Sequence, residues 1–183
     1  MKKTLALTAL LLLPAIGLAN SAPATHAPAA KAPMAKATAG DATLRPFVRG
    51  SWKALRQGHA GEAMVVHFWG LTCGPCLAEL PNWTAHMKKR PDLKLVLVDS
   101  SPFGDDPGEV RTALTKAGLI KQENWLFADS FEERLRFEID PKWRGEMPYT
   151  LLIGRDGKVE PVTGVMDFGK LDAWLDSQGK KTG

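Results

Sequence analysis

Cysteine is scarce in this chain, with two in 183 residues, beside one tyrosine and four histidines. A structural zinc site wants four ligands, usually drawn from further cysteines or well-spaced histidines. There is no third cysteine, and His26, His59, His67 and His86 show no ligand spacing. No metal site is therefore expected. No glycine-rich phosphate fingerprint occurs, so no flavin, nicotinamide or other cofactor is expected either. Beyond the first twenty residues no apolar run reaches membrane-spanning length. Basic residues are scattered, apart from Lys88-Lys89-Arg90, which read as a solvated helix end. The formal charge of +4 falls to +2 once Lys2 and Lys3 are set aside, a balance that does not suggest nucleic acid. No internal repeat is visible.

The chain opens with Met1-Lys2-Lys3, then an apolar stretch from Leu5 to Leu13, then Pro14, Gly17 and Ala19. A positive start, a short apolar core and small residues near its end fit a secretory signal peptide. The expected signal is 1–19, cleaved after Ala19, with a retained membrane anchor as the lesser alternative. No cysteine follows the apolar core, so lipid attachment there has no acceptor. Residues 20–41 are almost entirely Ala, Pro, Thr, Ser and Lys and read as a disordered tether. Residues 42–183 form one domain, long enough to bury a core without staples.

The two cysteines stand in Cys73-Gly74-Pro75-Cys76, directly after the apolar run Met64-Val65-Val66-His67-Phe68-Trp69. That puts a closable thiol pair where a buried strand meets a helix start. The unsatisfied N–H groups and partial positive charge of a helix N-terminus stabilise a thiolate. A thiolate attacks disulfides, and a second thiol three positions on can resolve the mixed disulfide. A purely structural disulfide closing so short a ring would remove little unfolded-state entropy. Redox chemistry is the reading these residues favour.

Along the domain the hydrophobic period alternates between strand and helix. Ser51 is placed as the cap of a short helix over Trp52–Gln57 that ends at Gly58. Met64–Trp69 is a strand buried on both faces. A helix over Gly74–Lys88 carries Leu77, Leu80, Trp83 and Met87 on its inner stripe. Leu93–Val98 is a second buried strand. Asp106-Pro107-Gly108-Glu109 has the form of a capped helix start, with Gly118 as its stop. Trp125–Ala128 reads as a short extended piece. Asp129-Ser130 is placed as the cap of a helix that buries Phe131, Leu135 and Phe137. Tyr149–Ile153 and Lys158–Val162 make a hairpin about Asp156-Gly157, and a final helix turns Phe168, Leu171, Trp174 and Leu175 inward. The fold class is therefore α/β, a mixed sheet flanked by helices on both faces. The cysteine pair lies at the carboxyl end of a central strand, where such sheets place their sites.

The order strand, Cys-Gly-Pro-Cys, helix, strand, helix, Met-Pro, hairpin, helix resembles the thioredoxin fold. Within it the chain looks most like the exported TlpA-like branch, with its ResA-like and CcmG-like thiol-disulfide oxidoreductases. The resemblance rests on Phe68-Trp69, Cys73-Gly74-Pro75-Cys76, Glu79-Leu80-Pro81, Met147-Pro148-Tyr149-Thr150 and Arg155-Asp156-Gly157. It implies that Cys73 is an exposed attacking thiol and Cys76 a buried resolving one. It implies that Glu79 borders the site, where a carboxylate can relay a proton to the resolving thiol. Pro148 matches the family's cis-proline, and Met147 before it would meet an incoming peptide across Gly74 and Pro75. Pro81 matches a helix-kinking proline with no chemical role.

Three departures stand out. Thr72 replaces the tryptophan common before the first cysteine, Met147 replaces a small or β-branched residue, and His67 stands where thioredoxins bury an aspartate. His67 is either a proton relay that makes rates respond near neutral pH or a neutral, hydrogen-bonded core histidine. The function implied is an exported, periplasmic thiol-disulfide oxidoreductase. It would reduce disulfide-bearing secreted proteins, as in cytochrome c biogenesis, with a DsbD-type membrane reductase as electron donor and a membrane tether as the lesser alternative. The alternatives are an oxidase or isomerase of the same fold, or a copper-binding assembly factor, since soft thiolates favour Cu(I).

Overall fold

Six strands and five helices alternate through residues 44–179, the part of the chain that the computed structural model describes. The expected signal peptide and tether, 1–19 and 20–41, lie outside the described residues, as do the ends of the expected domain, 42–43 and 180–183. In chain order the elements are β1 (Leu44–Phe47), α1 (Ser51–Gly58), β2 (Met64–Trp69), α2 (Gly74–Lys89), β3 (Leu95–Asp99) and α3 (Pro107–Ala117). They continue as β4 (Glu123–Phe127), α4 (Glu132–Ile139), β5 (Tyr149–Ile153), β6 (Val159–Thr163) and α5 (Phe168–Gly179).

The sheet order is β1-β4-β3-β2-β5-β6. The pairs β1–β4, β4–β3 and β3–β2 are parallel, and β5 and β6 join antiparallel. The two central strands, β2 and β3, are buried at every residue, which explains their unbroken apolar runs. Side chains alternate across the pleat. Val65 and Trp69 enter one core with Leu95, Leu97, Val110, Leu114, Leu171 and Trp174, beneath α2, α3 and α5. Val66 and Phe68 enter the other with Val96, Val98, Trp52, Leu55, Leu135 and Ile139, beneath α1 and α4. Helices thus cover both faces, as expected.

Local chemistry ends the elements. Asp106 accepts N–H bonds from Gly108 and Glu109 at the start of α3, and Gly118 closes it with a left-handed φ of 75°, which glycine adopts without a Cβ clash. Several expectations need correction. Ser51 lies inside α1 and takes the N–H of Val48 on its Oγ, while Gly50 is the cap. β1 carries only four residues including Pro46, too short a pattern to read. The second buried strand begins at Leu95. Phe131 and Phe137 are 59 % and 64 % exposed, so α4 packs through Leu135 and Ile139 alone. Leu77 is exposed too, and the inner face of α2 is instead Cys76, Glu79, Leu80, Trp83 and His86.

The chain's one tyrosine secures the entry to β5. Tyr149 stacks on Trp143 with ring centroids 4.7 Å apart and 8° between planes, and its hydroxyl donates to Asp140 Oδ2 at 2.6 Å. Phe68 of β2 packs against both rings. Hydrogen bonds to an ionised partner contribute about 1.5–3 kcal/mol. Tyr149→Phe is therefore expected to lower unfolding free energy by about 1.5 kcal/mol or more in urea denaturation, with the circular dichroism spectrum unchanged.

Candidate functional site

β2 delivers the chain into the turn Gly70-Leu71-Thr72, and Cys73 then caps α2. Its backbone is extended, at φ −91° and ψ 94°, and its sulfur accepts the N–H of Cys76 at 3.2 Å. A capping side chain normally takes one of the orphan N–H groups of the first turn; here a sulfur does. Pro75 sits in that first turn, where a missing N–H costs nothing. The two sulfurs are joined as a disulfide, with Cα atoms 5.2 Å apart. Cys73 keeps 9 % of its surface open and Cys76 none. Thr72, Gly74 and Pro75 are exposed around the more open sulfur. The opening at Cys73 is narrow, and the tryptophan that could have formed a platform, Trp69, is core at 1 % exposure.

Glu79 lies three residues beyond Cys76 on the same helix face and is 2 % exposed. Its Oε1 accepts the backbone N–H of Met166, which ties α2 to the connection between β6 and α5. Burial raises its pKa above the ordinary carboxylate value, against the opposing pull of the Met166 N–H and the Trp83 indole. The indole N–H faces the carboxylate without a strict hydrogen bond. His67 comes from β2 onto the same side of the sheet. Its Nδ1 meets Thr150 Oγ1 at 2.9 Å, and its Nε2 stands 3.7 Å from Glu79 Oε2, too far for a hydrogen bond. Neither His67 Nε2 nor Glu79 Oε2 has another partner among the described residues. Complete burial pushes the His67 pKa down to about 3, so the imidazole is neutral at working pH. That favours the neutral, hydrogen-bonded core histidine over a relay that responds near neutral pH.

The Met147–Pro148 peptide bond is cis. Met147 is partly buried, and its Sδ receives the Ser100 hydroxyl at 3.3 Å. The carbonyl of Pro148 takes the N–H of Gly164. Sequence reasoning missed Ser100, Asp99 and Asp105 beside this end of the sheet, and Met166 beneath Glu79. Nothing in their spacing marks them, because each is brought in by a crossover. A cavity of about 540 Å³ opens beside Met64 and Ile153, at the end of β2 remote from Cys73. The helix through Pro81 runs unbroken from Gly74 to Lys89.

The strand order, the Cys73–Cys76 pair at the end of β2 and the cis bond before β5 decide the architecture. The chain has the thioredoxin fold. A secreted disulfide oxidoreductase of Mycobacterium tuberculosis, homologous to E. coli DsbE, superposes at TM-score 0.50 and 18 % identity, over 66 % of this chain and 85 % of its own. A putative thioredoxin from Neisseria meningitidis matches at 0.52 and 23 %, over 67 % and 78 %. A thiol:disulfide interchange protein of the thioredoxin family from Chlorobium tepidum matches at 0.51 and 19 %, over 67 % and 83 %. No protein-family model matches, and no curated protein matches the sequence. At these identities the likeness establishes the thioredoxin fold, and the residues themselves must carry the chemistry.

Two stability tests follow from the buried polar groups. Glu79→Ala leaves the Met166 N–H without an acceptor and is expected to cost about 1–3 kcal/mol, whereas Glu79→Gln keeps an acceptor oxygen and costs less than about 1 kcal/mol. Urea denaturation of the oxidised protein measures both. His67 has its pKa lowered, so the unfolded chain takes up a proton below pH 6.5 that the folded protein refuses. Stability is then expected to fall as pH drops from about 6.5 towards 3, with a slope of up to about 1.4 kcal/mol per pH unit from this group. His67→Gln should flatten that part of the curve.

Proposed function

We propose that this protein is an exported thiol-disulfide oxidoreductase that reduces disulfides in secreted proteins. The observation that carries the reading is the unequal cysteine pair: Cys73 is the partly open cap of α2 and Cys76 is sealed a turn below it. In the reduced form a Cys73 thiolate is held by the N–H groups of the first turn. It attacks one sulfur of the substrate disulfide. The substrate S–S bond breaks, a mixed disulfide forms, and the released substrate thiolate takes a proton. Cys76 then gives up its proton and attacks the Cys73 sulfur. The second substrate thiol leaves and the Cys73–Cys76 disulfide remains, so two electrons have passed to the substrate.

Glu79 is the acceptor we assign to the Cys76 proton. It shares the helix face of Cys76, and its raised pKa brings it nearer to the acidity such a transfer needs. His67, neutral and bound to Thr150, then supports the carboxyl as a polar wall. Met147, Pro148, Gly74 and Pro75 are assigned to substrate contact. The backbone of Met147 takes no part in hydrogen bonds among the described residues, so it is free to pair with an extended peptide. The reducing direction is supported by the Gly-Pro between the cysteines, which resembles thioredoxin's. An exported compartment is oxidising, so the pair needs an electron supply, and a dithiol on a DsbD-type membrane reductase is the partner proposed. Among the described residues no helix is long and apolar enough to cross a membrane.

A Cys76→Ser variant is expected to accumulate mixed disulfides through Cys73 when expressed with its leader, and mass spectrometry of the trapped species identifies clients and donor together. Capture of no partner by either cysteine overturns the reading. Equilibration with glutathione tests the direction: a potential near about −270 mV fits a reductant, and one near about −120 mV assigns the oxidant instead.

A further inference from the structure

Asp99 is the last residue of β3 and is fully buried. Its side chain lies on the same face of the sheet as those of Leu95, Leu97 and Trp69, the face that also holds the two cysteines. Its Oδ1 accepts the N–H of Ser101 at 3.1 Å, and its Oδ2 has no donor among the described residues. Ser101 bridges it to Asp105, giving its N–H to Asp99 and its hydroxyl to Asp105, which brings the two carboxyl groups together. Two carboxylates cannot hydrogen-bond unless one carries a proton. Asp105 Oδ2 in turn accepts the backbone N–H of Leu71 at 2.8 Å and the hydroxyl of Ser101. Leu71 is in the turn that presents Cys73, whose own N–H is bound by Gly70 in the same turn. The fit is close: a Cβ on Gly70 would stand 2.1 Å from Ser101 Oγ. Ser100 completes the contact by donating its N–H to the carbonyl of Trp69 and its hydroxyl to Met147.

We propose that Asp99 and Asp105 are positioning residues for the reactive turn: they share one proton, and the Asp105 oxygen held in this way anchors the Leu71 N–H and with it the presentation of Cys73. The placing of a proton between them is argued from their common partner Ser101 and from the buried, orphaned Oδ2 of Asp99. Burial supports it by pushing the Asp99 pKa up to about 8, with the negative charge of Asp105 adding to the rise. From the neighbouring strands Trp69 and Leu126 stand at its register, neither of them charged. Asp105 is the one charged side chain acting on Asp99 among the described residues. On the same face the Cys73–Cys76 disulfide carries no charge, and in the reduced form the Cys73 thiolate would be the further negative group at this end of the sheet. The sign follows. The folded protein keeps a proton that an unfolded Asp releases near pH 3.8. The latch therefore holds through neutral pH and opens as pH climbs past about 8, when the buried Asp99 carboxylate and the half-buried Asp105 carboxylate repel.

The anchoring of the turn matters for reactivity only if Cys73 is the attacking thiol, so the proposal rests on that reading, yet it can be tested without it. In the oxidised protein neither cysteine ionises. There the Leu71 amide resonance is expected to titrate with a midpoint near pH 8, together with the Asp99 carboxyl carbon. In Asp99→Asn the amide N–H of the new side chain donates to Asp105 in place of the shared proton. The Leu71 titration then disappears while its chemical shift stays near the low-pH value. A Leu71 resonance that ignores pH in the wild-type protein, or that titrates unchanged in Asp99→Asn, overturns the proposal. In the reduced protein, Asp105→Ala is expected to slow alkylation of Cys73 by about tenfold at neutral pH, with Asp99→Asn within about twofold of wild type. Equal rates in Asp105→Ala and wild type also overturn it. If Asp105→Ala does not fold, the wild-type titration decides alone. If the latch titrates as described but no partner is ever trapped on Cys73, the oxidoreductase reading fails and the carboxyl pair stands.

Discussion

The contact on which the rest of this site depends is the capping of α2 by the Cys73 sulfur, which accepts the N–H of Cys76. A helix start exposes N–H groups that need acceptors, and most proteins supply an oxygen from Ser, Thr, Asp or Asn. Here the acceptor is the sulfur proposed as the attacking atom. The same electrostatics that satisfy the helix also favour a negative sulfur. The position of that helix start is not free, because β2 is buried along its whole length between β3 and β5. The strand can shift register only by moving every side chain to the opposite core.

Around that cap a set of polar groups gathers on the face of the sheet that holds the cysteines. Glu79 and His67 stand below Cys76, and Asp99 and Asp105 stand beside the turn before Cys73. Their partners come from far along the chain: Met166 for Glu79, Thr150 for His67, Leu71 for Asp105. Buried groups of this kind are costly unless satisfied. Glu79 carries its backbone bond, and burial away from water holds His67 neutral. Each resolving or positioning role assigned here is therefore a consequence of burial with a particular partner, and surface carboxylates such as Glu133 share none of it.

Much of the architecture was legible because its causes are local. The unbroken apolar runs of β2 and β3, the Asp-Pro-Gly-Glu start of α3 with its Gly118 stop, and the Asp156-Gly157 turn each show their chemistry within a few residues. The misreadings have equally local causes. Phe131 and Phe137 look like core by residue type, but α4 has only two turns and buries one narrow stripe. Ser51 has the right chemistry for a cap, yet Gly50 with φ 83° takes that position and turns the serine back onto Val48. β1 is defined by its pairing with β4 and has no strong pattern of its own.

By itself, then, the chain of residues determined the alternation of strand and helix, the three-position spacing of the only two cysteines, and their place at a strand-to-helix junction. These follow from period, capping and backbone stereochemistry, which act over a turn or a pleat. Only the tertiary structure decided that Cys73 stays partly open while Cys76 is sealed, that Glu79 is buried against Met166, and that Asp99 and Asp105 share Ser101 beside Leu71. Those outcomes depend on which crossover lands beside which strand. Burial and the approach of distant charges, which set the acidity of such groups, exist only once the sheet has been assembled.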